Sequence, residues 1–218
     1  MDITPESVKI LLNSEDFGER IRGLNQLRQI DAETAFEMLK PLINDENTRV
    51  RYAAVSQLDT LGQNDKETSL TLLRDRLFND PEPDVQAAAA DAIGGLKLTE
   101  AFKDLDKVYH ETSEWLVQFS IIAALGELGD PAGFTLLEEA LHSNNNLLQT
   151  AAIGSMGELG DTRAISLLKN FVEHEDWQIR FRLVQALGRL GGEEAKAMIT
   201  KLVDDKSEQV AQEAKNNL

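Results

Sequence analysis

One short phrase recurs along the chain at a nearly fixed interval: Val50-Arg51, Val85-Gln86, Val117-Gln118, Leu148-Gln149, Ile179-Arg180 and Val210-Ala211. A large apolar residue follows eight positions after the first member, at Leu58, Ile93, Leu125, Met156, Leu187 and Leu218. Another follows three positions later, at Leu61, Leu96, Leu128, Leu159 and Leu190. Next comes Gly62, Lys97, Gly129, Gly160 or Gly191. A degenerate first copy begins at Glu19-Arg20, with Leu27 and Ile30 in register. The copies start at 19, 50, 85, 117, 148, 179 and 210, intervals of 31, 35, 32, 31, 31 and 31 residues. A constant period in this range predicts stacked supersecondary units, none of which buries its apolar face alone.

Each unit reads as a pair of helices. Apolar residues at positions 0, +4, +8 and +11, as in Val117, Ile121, Leu125 and Leu128, lie on one helical face and define the second helix of the pair. The glycine after it is placed to supply a left-handed cap. Leading helices lie between such a glycine and the next phrase; Phe134, Leu136, Leu137 and Leu141 mark one, and Asp130-Pro131 an N-terminal start. Alanines 53–54, 87–90, 123–124 and 151–152, with Ala186, predict close approach of neighbouring second helices. Gly94 and Gly95 read as lying inside a helix, where a glycine costs about 1 kcal/mol relative to alanine. No segment alternates like a strand. The expectation is an all-α, right-handed solenoid of about seven helix pairs, a single domain over residues 1–218, its leading helix short (Pro5 to about Asn13).

Charge and composition narrow the function. With 38 acidic against 22 basic residues and a net charge of −16, the surface opposes nucleic acid and anionic membranes. There is no cysteine, so disulfides and thiolate chemistry are excluded. No apolar run approaches the ~20 residues of a membrane span, and the first residues do not read as a secretory signal. A soluble, cytoplasmic protein is expected. Leu218 with Val210 is a candidate surface for pairing into a homo-oligomer.

Residues 117–130 and 179–191 together resemble HEAT repeats of the phycobilisome-lyase-like family, and the similarity runs from Glu19 to Leu218. Within that family the chain is most similar to phycobilisome degradation proteins of the NblB type in cyanobacteria. The resemblance implies a role in dismantling the phycobilisome when nutrients run short. It further implies contact with phycobiliprotein subunits, phycocyanin and allophycocyanin, and with their linear tetrapyrrole, phycocyanobilin, as a ligand rather than a required cofactor. A bilin lyase or bilin-detaching enzyme is the alternative within the family, and a general protein-interaction scaffold a second.

Signs of catalysis are sparse. The hydroxylase branch of such repeats uses His-Glu pairs to bind two irons. His110-Glu111 and His174-Glu175 have that form, but the three histidines, His110, His142 and His174, fall one per repeat, and units on the order of 10 Å apart do not share one ion bound at about 2 Å. They read as solvated helix-end residues, and no metal is expected. There is no phosphate loop and no recognisable nucleophile triad. Asp59, Glu127 and Glu158 are the nearest approach to acid–base candidates, and none has a supporting partner in sequence. A non-catalytic binding protein is therefore preferred.

Binding candidates lie on the second helices, which line the concave face in repeats of this kind. Position +1 holds Arg51, Gln118, Gln149 and Arg180. Position +2 holds Tyr52, Phe119 and Phe181, with Arg182 beside the last, and two positions before the phrase stand Trp115 and Trp177. Aromatics beside arginines suit a propionate-bearing pyrrole or a protein hot spot. Arg51 and Arg180 also have a structural reading, as partners of an acidic group in the neighbouring unit, and the aromatics one as cover for the helix corners. Residues 115–189 are expected to carry most of the contact energy, with Arg51 and Tyr52 as a secondary anchor.

Overall fold

The computed structural model describes residues 3–218, and all regular structure among them is helical. The helices come in consecutive pairs: α1 (Pro5–Leu12) with α2 (Phe17–Gln26), α3 (Ala32–Leu39) with α4 (Thr48–Ser56) and its continuation α5 (Leu58–Leu61), and α6 (Lys66–Asn79) with α7 (Pro83–Gly95). Then follow α8 (Phe102–Glu111) with α9 (Trp115–Leu128), α10 (Phe134–Leu141) with α11 (Asn146–Leu159), α12 (Ala164–Leu168) with α13 (Trp177–Leu190), and α14 (Gly192–Lys201) with α15 (Glu208–Asn216). This is an α-solenoid pattern. The residues group into two compact units, one ending at Ser120 and the other spanning Ile121–Leu218.

The period of the phrase is the period of the core. Val50, Ala54, Leu58 and Leu61 are buried, as are Val85, Ala89, Ile93 and Leu96, and Val117, Ile121, Leu125 and Leu128. Truncating a fully buried leucine such as Leu125 to alanine costs about 2–5 kcal/mol. The stripe weakens at its +11 end in the later copies, where Leu159 and Leu190 are half-buried. In the last copy Leu218 is 57% exposed while Val210 is fully buried, so Val210 is not available for the pairing expected of it.

One of the expected glycine caps differs. Gly129, Gly160 and Gly191 do take positive φ at the helix ends, and Lys97 takes the same position at φ 56. Gly62 does not: its φ is −82, it is buried, and the Ser69 hydroxyl donates to its carbonyl at 3.1 Å. A β-carbon on Gly62 would collide with that serine, so close approach, not handedness, requires the glycine. Gly94 and Gly95 lie inside α7, as expected, in its last turn.

Within the second unit the second helices approach very closely. A β-carbon on Gly126 would lie 2.9 Å from Ser155 Cα, and one on Gly157 would lie 2.7 Å from Ala186 Cα. Both glycines are at position +9, and the Cα and Cβ of the neighbouring helix, joined at Gly126 by the Glu158 carboxylate, fill the space opposite them.

Candidate binding surface

The turn entering each second helix is built the same way throughout the described residues. The backbone N–H three positions before the phrase donates to the side chain five positions before it: Asp16 to Ser14, Asn47 to Asp45, Glu82 to Asp80, Glu114 to Thr112, Asn145 to Ser143, Asp176 to His174 and Ser207 to Asp205, at 2.8–3.2 Å. Asp16, Asn47, Asn145 and Asp176 then cap the helix by accepting from its first N–H groups.

Position +1 points back into this turn. The Arg51 guanidinium donates to the carbonyls of Asp45 and Glu46 at 3.0 and 3.3 Å, and bidentately to the Asp80 carboxylate of the next corner at 2.8 and 3.0 Å. Arg180 repeats the arrangement with the carbonyls of His174 and Glu175 and the Asp205 carboxylate at 2.7 and 2.8 Å. Arg20 does so with Ser14, Glu15 and Asp45. These ion pairs are buried; the Arg51 and Asp80 side chains are 9% and 0% exposed. Burial opposes ionisation of Asp80, but hydrogen bonds from Arg51 and the Glu82 N–H, with the charges of Arg51 and Arg76, outweigh it and hold its pKa below the ordinary value. For Asp205 the Arg180 hydrogen bonds are the largest influence, and they lower its pKa against burial.

Where position +1 is glutamine the grip is only local. Gln86 donates to the Asp80 carbonyl at 2.8 Å, Gln149 to the Ser143 carbonyl at 2.8 Å, and Gln118 to the carbonyls of Tyr109 and Thr112 at 3.3 and 3.4 Å. Arg51, Gln118, Gln149 and Arg180, candidates for an open binding face, are thus corner residues, and Arg51 and Arg180 take the neighbouring-unit acidic partner that their structural reading gave them. A side chain one position past the core stripe can fold back beneath the turn, and the unpaired carbonyls there draw it in.

The aromatic candidates are differently placed. Tyr52, Trp115 and Trp177 are 48%, 50% and 42% exposed, while Phe119 and Phe181 are half-buried. In the first unit Tyr52 opens from α4, and Trp115 and Phe119 lie one turn apart on α9. In the second unit Trp177 stands edge-on to Phe181 with ring centroids 6.5 Å apart. Arg182 is half-buried there, donating to Gln185 at 3.2 Å, with its stem over Gly154. Leu147, 51% exposed, adds an apolar side chain that was not singled out in the sequence.

The HEAT-repeat family model matches residues 4–77, 70–157 and 135–218. The chain belongs to the HEAT-repeat family. Among solved structures, the complex of CpcE and CpcF of phycocyanin lyase from Nostoc sp. PCC7120 is similar with a TM-score of 0.66 at 20% identity, over 100% of this chain and 94% of that one. The archaeal HEAT-like repeats protein from Thermococcus onnurineus NA1 gives a TM-score of 0.61 at 15% identity, over 100% and 96%. An engineered protein gives 0.58 at 19% identity, over 98% and 67%. At such identities the likeness is one of fold. No protein with a curated description matches the sequence significantly.

The remaining polar candidates are spread over separate HEAT repeats. His110 Nδ1 lies 2.8 Å from the Asp106 carbonyl, His142 is exposed, and His174 Nδ1 accepts the Asp176 N–H. No group of three or more metal-ligating side chains forms among the described residues. Glu158 is paired with Arg189 at 2.6 Å, Asp59 accepts from the Thr60 hydroxyl, and Glu127 is exposed. No helix among the described residues is long and apolar enough to cross a membrane.

Proposed function

We propose that this HEAT-repeat protein is a non-catalytic adaptor that binds phycobiliprotein subunits and promotes their disassembly during nutrient starvation. The observation that carries the reading is the pair of half-exposed tryptophans, Trp115 and Trp177, at equivalent places on second helices, each with a phenylalanine one turn further on. Large aromatics left open to water at the head of a helix are the side chains that dominate protein interfaces. The fold shared with phycocyanin lyase subunits and the sequence resemblance to phycobilisome degradation proteins both support a phycobiliprotein as the partner.

Contact through protein surface is favoured over capture of the tetrapyrrole. A bilin held by its propionates needs free cations beside the aromatics, and Arg51 and Arg180 are committed to Asp80 and Asp205. Arg182 remains, already donating to Gln185.

Calorimetric titration with phycocyanin and allophycocyanin subunits at low and moderate salt tests the proposal. Binding to at least one is expected, and replacing Phe119 and Phe181 by alanine should weaken it by about 1–2 kcal/mol with helicity retained. No heat and no co-precipitation with either subunit would remove the idea. Mixing with holo-phycocyanin separates adaptor from lyase: the adaptor leaves the covalent chromophore on a denaturing gel unchanged, whereas loss of more than one chromophore per molecule of protein shows an enzyme.

A further inference from the structure

In the second unit a shallow depression of about 350 Å3 opens between α13 and α15, lined by Phe181, Glu208, Gln209, Gln212 and Glu213. The exposed ring of Trp177 stands beside it through its edge contact with Phe181. Three acidic groups of this unit are matched, Asp205 by Arg180, Glu158 by Arg189 and Asp161 by Arg163, and none of them lies at this opening. Glu208 and Glu213 join no ion pair among the described residues; Glu213 accepts only from Asn217, with the carboxylate contact at 3.4 Å. The Gln212 amide nitrogen donates to Asn216, which leaves its carbonyl oxygen as an acceptor. An aromatic ring, two uncompensated carboxylates and an amide acceptor thus share one opening.

We propose that this depression is the docking pocket for an arginine side chain of the protein partner. The inference rests on the reading of the chain as a binding module but not on which protein it binds. Two carboxylates repel an anion and leave a neutral apolar side chain nothing to offset their desolvation. A cation is attracted by both and by the ring quadrupole of Phe181. Guanidinium suits the site better than ammonium, because it is planar, more weakly hydrated, stacks on aromatic faces and donates in several directions at once. Glu208 also lies in the first turn of α15, where a carboxylate complements the helix dipole. That role involves no ligand and does not extend to Glu213, near the other end of the helix.

The test uses the full chain carrying W115F, which leaves Trp177 as the single tryptophan. Its fluorescence is followed during titration with the tripeptide amide acetyl-Gly-Arg-Gly, and with the analogues bearing glutamine or glutamate at the centre. The arginine peptide should give a saturable change. The glutamine analogue, or the E208Q,E213Q variant with the arginine peptide, should bind about tenfold more weakly, the scale of one cation–aromatic and charge contact. F181L, which keeps an apolar side chain in place, should lose most of the response while circular dichroism stays helical. A linear response to the arginine peptide, equal curves for the arginine and glutamine peptides, or an unchanged curve in E208Q,E213Q overturns the proposal. The two readings fail separately. Arginine-peptide binding without phycobiliprotein binding removes the proposed function and keeps the pocket, and the converse result removes the pocket alone.

Discussion

Two kinds of corner occur along this chain, and they differ by one side chain at position +1. At Arg20, Arg51 and Arg180 the guanidinium closes its own turn and reaches a carboxylate in the next repeat. At Gln86, Gln118 and Gln149 the amide closes its own turn only. The residue types go together: the corners that follow the arginines carry Asp45, Asp80 and Asp205, and those that follow the glutamines carry Thr112, Ser143 and His174. A buried guanidinium without its carboxylate leaves an uncompensated charge, so arginine is confined to places where the next corner supplies aspartate. Glutamine serves where it does not.

The comparison breaks most visibly at Asp80. D80A should cost about 3–5 kcal/mol, because it strands the Arg51 guanidinium and removes a partner of Arg76. Replacing Arg51 and Asp80 together by apolar residues of similar size should cost much less. Denaturant unfolding measures both, and equal losses would show that the corner acts through shape, not charge.

A second experiment converts one kind of corner into the other. Q149R alone places a cation opposite His174 and should destabilise by about 2–3 kcal/mol. Adding H174D supplies the missing acceptor and should restore at least about 1 kcal/mol of that loss through a positive coupling in the double-mutant cycle. Additive effects would mean that the paired residue types are coincidental.

Acid titration separates the corners without removing an atom. Asp80 and Asp205 have folded pKa values depressed below 3.8, so the stability they confer is fully present above that value. It is lost as pH falls below 3.8 and through the folded values, where the carboxylates protonate. The parent should lose stability faster in this window than a variant with both Arg51 and Asp80 made apolar, as followed by the denaturant midpoint. The smallest effect belongs to Q149A. Loss of a single neutral hydrogen bond to the Ser143 carbonyl should cost about 1 kcal/mol, with no added dependence on acid.

The repeat, the helix pairs and most of the core stripe were legible in sequence, because a 31-residue echo with helical spacing leaves one way to bury its leucines. At position +1 the structure bears out the ion-pair reading of Arg51 and Arg180 and not the open-face one, for a physical reason. Helical geometry predicts which way a Cα–Cβ bond points, but a side chain as long as arginine ends where its hydrogen-bond partners are. The signal lay in sequence all the same, in the match between Arg51 and Asp80 and between Arg180 and Asp205, which appears only when each repeat is read against the next. Trp115 and Trp177 stay half-exposed, because aromatic rings outside the stripe have no such interior destination. The pocket beside Phe181 was not visible, since it joins α13 to Glu208 and Glu213 on α15, and no spacing rule connects a phenylalanine to carboxylates in the following repeat.

The arginine–aspartate corners also give the repeats a fixed order. The apolar stripes are nearly interchangeable, so hydrophobic packing alone would let many repeats follow many others. Moving the repeat that carries Arg51 to a place before Thr112 would leave a guanidinium facing a hydroxyl, and moving the one that carries Gln86 to a place before Asp205 would bury an unanswered carboxylate. Deleting or duplicating a whole repeat should therefore be tolerated only where the new neighbours still match, which makes the repeats that carry Arg51, Gln118 and Gln149 the ones to remove or repeat.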